Sequence, residues 1–246
     1  MAFSLQEHQM TLPTPKEFAA LLRSDFGVFV EKSFETLNPS MPFLSNWHID
    51  ALNHHAQRIK DQTCNRLIIN LPPRTLKSMI FSVALPAYLL GKDPTRRIIC
   101  ASYSDTIAVK LANDFRSLLN VPWYAQAFGV LDLTKDTETE TTTSAGGFRL
   151  TTSVGGSLTG RGGDLIIIDD PLNASEAASK ASRDRVNDWF RTSVLSRLDD
   201  PKRGAIIVVM QRLHVEDLSG MLLAHGGWTH LCLPAIAPED MEVTYA

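Results

Sequence analysis

Four short runs along the chain are apolar and rich in β-branched residues: Arg66–Leu71, Arg97–Ser102, Leu165–Asp169 and Ala205–Met210, with a weaker fifth at His230–Leu233. They are apolar throughout rather than alternating, which is the pattern of strands buried on both faces. Helix-length stretches separate them. Met79–Leu90 follows the first run, and Ser175–Leu198 carries Val186, Trp189, Phe190, Val194 and Leu198 at helical spacing behind a Ser175-Glu176 start. That spacing predicts an amphipathic helix packed on a core. Strands alternating with helices predict an α/β fold, a mainly parallel sheet covered by helices on both faces.

Ahead of this pattern, residues 1–64 hold Pro13, Pro15, Pro39 and Pro42 around two helical pieces. These are Lys16–Lys32, with Phe18, Leu21, Leu22 and Phe26 on one face, and Trp47–Lys60. The segment reads as a helical N-terminal lead-in to a core spanning 65–238, with 239–246 beginning a linker. Inside the core, Thr134–Ser144 (TKDTETETTTS) is polar and low in complexity and predicts a solvent-exposed loop, whereas Phe148–Ser153 predicts an additional strand.

A chain of 246 residues suits one large α/β unit, and 44% hydrophobic with 21% charged residues excludes a disordered chain. The 24 Lys and Arg against 27 Asp and Glu give a net charge of −3, so any contact with nucleic acid has to be local. No apolar run approaches the roughly 20 residues of a membrane-spanning helix. The opening MAFSLQEHQM lacks a basic, then apolar, secretion signal, so a cytoplasmic chain is expected. Cys64, Cys100 and Cys232 are odd in number and dispersed, and read as small buried hydrophobes rather than disulfide or zinc ligands.

The first chemical signal is Asn70-Leu-Pro-Pro-Arg-Thr-Leu-Lys-Ser78, a strand end, a turn, and Lys77-Ser78 opening a helix. A phosphate loop of the form GxxxxGK[ST] has backbone amides around phosphate, Lys on the terminal phosphates and Ser or Thr on Mg²⁺. Both glycine positions are leucine here, Leu71 and Leu76, so the pattern itself is missed while its context is kept, with Arg74 adding a second cation. Read plainly, Pro72-Pro73 is a rigid turn with a solvated lysine behind it. The second signal, LIIIDDP (Leu165–Pro171), is a buried strand ending in two carboxylates, where ligands of a parallel sheet bind. Successive residues point to opposite sides, so Asp169 is assigned to Mg²⁺ through water and Asp170 to polarising the attacking water. Arg161, in the glycine-rich turn before that strand, is placed to offset charge developing on a γ-phosphate. Gln211 and Arg212 end the Ala205–Met210 strand, where they could sense the γ-phosphate, while His214 and Asp217 read as a capped helix start rather than metal ligands.

In this order the blocks RLIINLPPRTLKS, PAYLLGKDPTRRIICASYS, GRGGDLIIIDDP and VVMQRLHVEDLSG, with NWHIDAL upstream, resemble the N-terminal ATPase domain of the large terminase subunit of tailed double-stranded DNA bacteriophages. The resemblance runs from Asn46 to about Pro238. It implies a RecA-like P-loop NTPase using ATP and Mg²⁺, in which Trp47 and His48 border adenine and Pro73, Arg74, Thr75, Leu76, Lys77 and Ser78 hold the phosphates. Ser78 and Asp169 would hold the metal, Asp170 with Lys77, Arg74 and Arg161 would serve catalysis, and Gln211-Arg212 would couple hydrolysis to movement. Implied partners are double-stranded DNA, the portal protein, the small terminase subunit and further copies of the chain in a ring, in the host bacterial cytoplasm and transiently at the procapsid portal, with no membrane. DNA contact could come from Arg183, Arg185, Arg191 and Arg197, although Asp184, Asp188 and Asp199 among them read as a solvated mixed-charge face. Relatives often carry His-Gly where this chain has Thr75-Leu76, which implies slow turnover, and they often continue into a nuclease domain, so ATPase without nuclease activity is expected. Two rival readings are a helicase-like DNA-dependent ATPase, which would need a second RecA-like lobe, and a non-catalytic nucleotide-binding docking module.

Overall fold

A computed structural model describes residues 12–236 apart from 157 and 159; the expected linker start at 239–246 and the opening MAFSLQEHQM lie outside the described residues. Three helices lead in. Thr14 and Glu17 cap the N-terminus of α1 (Pro15–Ser24) reciprocally, each side chain accepting the other's backbone N–H, and α2 (Phe26–Leu37) and α3 (Trp47–Lys60) follow. The single helix expected over Lys16–Lys32 is broken at Asp25, whose backbone is extended and whose carboxylate accepts from the Val28 N–H at 3.1 Å. A side chain that satisfies the first free amides of a new helix competes with continuing the old one.

The sheet is built from β1 (Arg66–Asn70), β2 (Arg97–Ser102), β3 (Leu133–Asp136), β4 (Glu140–Thr143), β5 (Phe148–Ser153), β6 (Leu165–Asp169), β7 (Ala205–Met210) and β8 (Thr229–Cys232). Its order is β3-β4-β5-β2-β6-β7-β1-β8, parallel from β5 to β8 and antiparallel where β3 and β4 close the edge. This is the mainly parallel α/β arrangement, with helices on both faces, that the strand-helix alternation predicts. On one face lie α1 to α3, a helix running through Met79–Ala84 into α4 (Leu85–Lys92), α5 (Asp105–Leu119) and α6 (Pro122–Phe128). Their side chains Phe29, Leu52, Phe81, Tyr88 and Phe115 share a core with Leu67, Ile98, Ile167 and Val209 of the strands. On the other face α7 (Lys180–Trp189), the turn Phe190–Val194 that continues it and α8 (Leu218–His225) bury Val186, Trp189, Phe190 and Leu222 against Ile68, Ile166 and Val208. The lead-in therefore shares the core of the sheet.

Three expectations are corrected. Thr134–Ser144 forms β3 and β4 instead of a solvated loop, and Glu140, Thr141 and Thr143 are buried. Threonine suits a pleated surface, and Lys135 and Arg161 both pair with Glu140, which lets its carboxylate be covered. The helix expected from Ser175 starts at Lys180 instead, because Ser179 caps it while Asn173 caps a separate short turn at Ala174–Glu176. Cys64 and Cys100 are buried, but Cys232 is exposed at the end of the edge strand β8.

Candidate functional site

The carboxyl ends of β1, β6 and β7 meet beneath the start of the helix that begins after Ser78. β1 delivers loop 70–78 to this point. Thr75 closes the loop by donating its hydroxyl to the Pro72 carbonyl at 2.9 Å, and the Leu76 carbonyl accepts the first helical bond from Ile80 at 2.9 Å. Arg74 and Leu76 have φ of +65° and +62°, the left-handed region that glycine adopts freely and leucine only at a cost of about 1–2 kcal/mol. Leu76 thus keeps the backbone shape of the glycine it replaces, with its side chain and that of Met79 partly buried against the core.

Lys77 is buried, and its Nζ lies 2.6 Å from Asp170 Oδ2. Beside that pair, Ser78 Oγ donates to Asp169 Oδ1 at 3.0 Å, and Ser82 Oγ donates to Asp169 Oδ2 at 2.7 Å. The two neighbouring carboxylates therefore take separate partners, as the opposite pointing of successive strand residues requires. Asp169 is 3% exposed; burial first, and the charge of Asp170 second, push its carboxyl up to about 6, while Ser82, Lys77 and Ser78 pull the other way. Asp170 leaves the strand with φ +42°, held by its N–H on the Val209 carbonyl at 2.8 Å and by the Gln211 N–H on its Oδ1 at 3.1 Å. Strain of this kind persists only where surrounding bonds over-determine it.

Ser78 and Asp169 form an oxygen donor set that fits a hard divalent cation: a hydroxyl and a buried carboxylate in contact, the carboxyl raised by its burial and by the charge of Asp170. Magnesium usually takes one or two carboxylates and fills its remaining positions with water and substrate phosphate. No group of three or more His, Cys, Asp or Glu side chains is placed to hold a metal among the described residues.

The other expected residues distribute around this centre. His48, at the first turn of α3, hydrogen-bonds the backbone of Thr75, while burial holds its imidazole below the usual range; Trp47 beside it is 55% exposed. Pro72 and Pro73 face Gln211 and Arg212 across a cleft of about 290 Å³. Arg212 Nε donates to Asp217 at 3.2 Å, and Asp217, wholly buried, also accepts from the N–H groups of Leu213, His214 and Gly220 to cap α8. Arg161 is not brought to this centre: it pairs with Glu140 and lies 5.2 Å over the ring of Phe148, which starts β5 at the opposite end of the parallel strands from Asp169, with β2 between β5 and β6. Among the arginines considered for DNA, Arg183 is buried and paired with Glu216, Arg185 pairs with Glu176 and Arg191 with Asp188. Two polar residues that bear on the centre escape motif reading, Ser82 and Arg149. Ser82 was legible only as a hydroxyl four residues beyond Ser78, on the same helical face.

No family profile matches the sequence, and no curated protein does. Among solved structures, the chain is similar to the crystal structure of the HK97 bacteriophage large terminase, with a TM-score of 0.55 and 15% identity. The match covers 89% of this chain and 46% of that one, so the chain spans about half the length of the structure it matches. At this identity the likeness is one of fold. No helix among the described residues is long and apolar enough to cross a membrane.

Proposed function

We propose that the chain is the ATP-hydrolysing motor domain of a phage DNA-packaging machine, coupling Mg-ATP turnover to movement of double-stranded DNA. The observation that carries this reading is the pairing of Lys77 with Asp170 and of Ser78 with Asp169 at the carboxyl ends of β1 and β6, two parallel strands with β7 between them. The terminase-like fold and the order of the sequence blocks add support for packaging as the work done.

The residues divide the chemistry as follows. Lys77 and Arg74 would neutralise phosphate charge, and Ser78 and Asp169 would hold a divalent cation, which would supply further positive charge beside the phosphates. A terminal phosphate competes with Asp170 for the Lys77 ammonium. Once released, the Asp170 carboxylate is free to orient a water for attack. The Gln211 N–H on Asp170 Oδ1 ties that carboxylate to the strand whose next residue, Arg212, is fixed to the cap of α8. This gives phosphate arrival a direct route to α8. Arg161, remote from its own Lys77, can serve a phosphate only on a neighbouring copy in a ring. DNA, portal protein and small terminase subunit are the proposed partners, met at the procapsid portal in the host cytoplasm.

The test is ATP turnover by the purified chain with and without linear double-stranded DNA, followed by packaging into procapsids. The reading requires Mg²⁺-dependent turnover that DNA stimulates. Tight nucleotide binding with no turnover at any protein concentration or with portal would favour the docking-module reading instead.

A further inference from the structure

Ser82 is 1% exposed and stands one helical turn beyond Ser78. Its hydroxyl takes Asp169 Oδ2 while Ser78 takes Oδ1, so each carboxylate oxygen has one fixed partner and the plane of the group is set. The backbone that carries Ser82 is unusual. Met79–Ala84 runs in wide turns, with the Leu85 N–H on the Ile80 carbonyl, five residues back. A regular α-helical bond from the Ser82 carbonyl would end on the N–H of residue 86, which is Pro86 and has none.

That carbonyl accepts instead from Arg149 Nη2 at 3.0 Å, reaching across from β5. Arg149 is 2% exposed, and the structure gives it Thr151, the Ser82 carbonyl, the Cys100 thiol and the Phe115 ring as neighbours, with no carboxylate in ion-pair contact among the described residues. A buried guanidinium without a carboxylate is costly, and an apolar side chain of the same length would fill the space at lower cost. It reaches the buried Asp169 through one residue instead, with Nη2 on the Ser82 carbonyl while the Ser82 hydroxyl donates to Oδ2. Wide turns of this kind recur at functional sites.

We propose that Ser82 and Arg149 are positioning residues for Asp169, and through it for the divalent cation that accompanies the nucleotide. Pro86 frees the Ser82 carbonyl, Arg149 captures it, and the serine hydroxyl is thereby aimed at Oδ2. Asp169 Oδ1 then stays turned toward Ser78 and the phosphate loop. The inference rests on the reading of this centre as a Mg-nucleotide site.

The experiment is equilibrium binding of a fluorescent, non-hydrolysable ATP analogue to the full chain, titrated with Mg²⁺, for wild type, Ser82→Ala, Ser82→Thr, Arg149→Met and Arg149→Lys. Thermal unfolding is recorded for each, and only folded protein is compared. Partners that orient a metal ligand typically change metal affinity by about 10–100-fold, so Ser82→Ala and Arg149→Met should need about tenfold more Mg²⁺ for the same effect. Affinity without Mg²⁺ should be unchanged, and Ser82→Thr, which keeps the hydroxyl, should restore the wild-type requirement. Should Arg149→Met fail to fold, Ser82→Ala against Ser82→Thr carries the test. A Ser82→Ala protein with the wild-type Mg²⁺ requirement, or one weakened equally with and without Mg²⁺, overturns the positioning role. A wild-type chain whose nucleotide binding ignores Mg²⁺ overturns it together with the reading on which it rests.

Discussion

Asp169 is buried between two serine hydroxyls, and its carboxyl is pushed from an ordinary 3.8 up to about 6. A raised carboxyl binds its proton more tightly in the folded chain than in the unfolded one. Its neutral form is therefore the stabilising one: stability falls as pH rises from about 4 to about 6, and the penalty stands in full above that. Asp169→Asn keeps hydrogen-bonding capacity toward Ser78 and Ser82 without the charge. It should raise stability at pH 8 by up to about 3 kcal/mol, a gain that vanishes below about pH 4, while abolishing Mg-ATP turnover. Denaturant unfolding at pH 4 and pH 8 checks the sign, and a variant less stable than wild type at pH 8 contradicts it. Leu76 offers a second test at this scale. Glycine normally weakens a helix start relative to alanine, but at φ +62° only glycine is free of strain. Leu76→Gly should exceed Leu76→Ala in stability by about 1 kcal/mol, and the reverse order would remove the left-handed loop from the account.

The elements that matter most are those whose ends carry the site, and here sequence and structure part in instructive ways. The buried strands β2, β6 and β7 are readable to the residue, because a strand covered on both faces leaves an unbroken apolar run bounded by polar ends. The break at Asp25 is not, because the helical spacing of apolar residues hides its local cap, the Val28 N–H three residues on; nor is the β3-β4 edge, since Glu140 depends on Arg161, a partner that only the folded chain brings to it. The same holds for Arg149, whose role requires β5 to lie across from the turn that Pro86 opens. At α8 the deciding residue is Asp217, which caps the helix and holds Arg212. Asp217→Ala leaves buried N–H groups unpaired and should cost about 2–3 kcal/mol by denaturant unfolding, with Asp217→Asn recovering most of it. Equal losses for the two variants would mean that the ion pair with Arg212, not the cap, is what counts.

At the scale of the whole molecule, the parallel sheet gathers at one end the loop from β1, two carboxylates at the end of β6 and, after β7, the Gln211 N–H that holds Asp170. That Lys77 and Ser78 meet Asp169 and Asp170 was legible because each pair follows a buried apolar run in the same parallel sheet. Arg161 was not, because proximity in sequence to β6 placed it in the candidate set while folding carries it to Glu140. Its distance from Lys77 predicts that turnover rises more steeply than in proportion to protein concentration if copies complete one another's sites, and that Arg161→Ala flattens that rise. A dilution series of the specific rate reads this directly. A specific rate that is independent of concentration assigns Arg161 to the fold alone. The central claim itself, a Mg-ATP hydrolysing centre, is tested most directly by steady-state ATP turnover of wild type beside Lys77→Ala and Asp170→Asn, each confirmed folded. Asn tolerates the left-handed backbone at this position as Asp does, so Asp170→Asn isolates the charge. The account predicts Mg²⁺-dependent turnover in wild type and a loss of about 10²-fold or more in both variants; variants that turn over at the wild-type rate would contradict it.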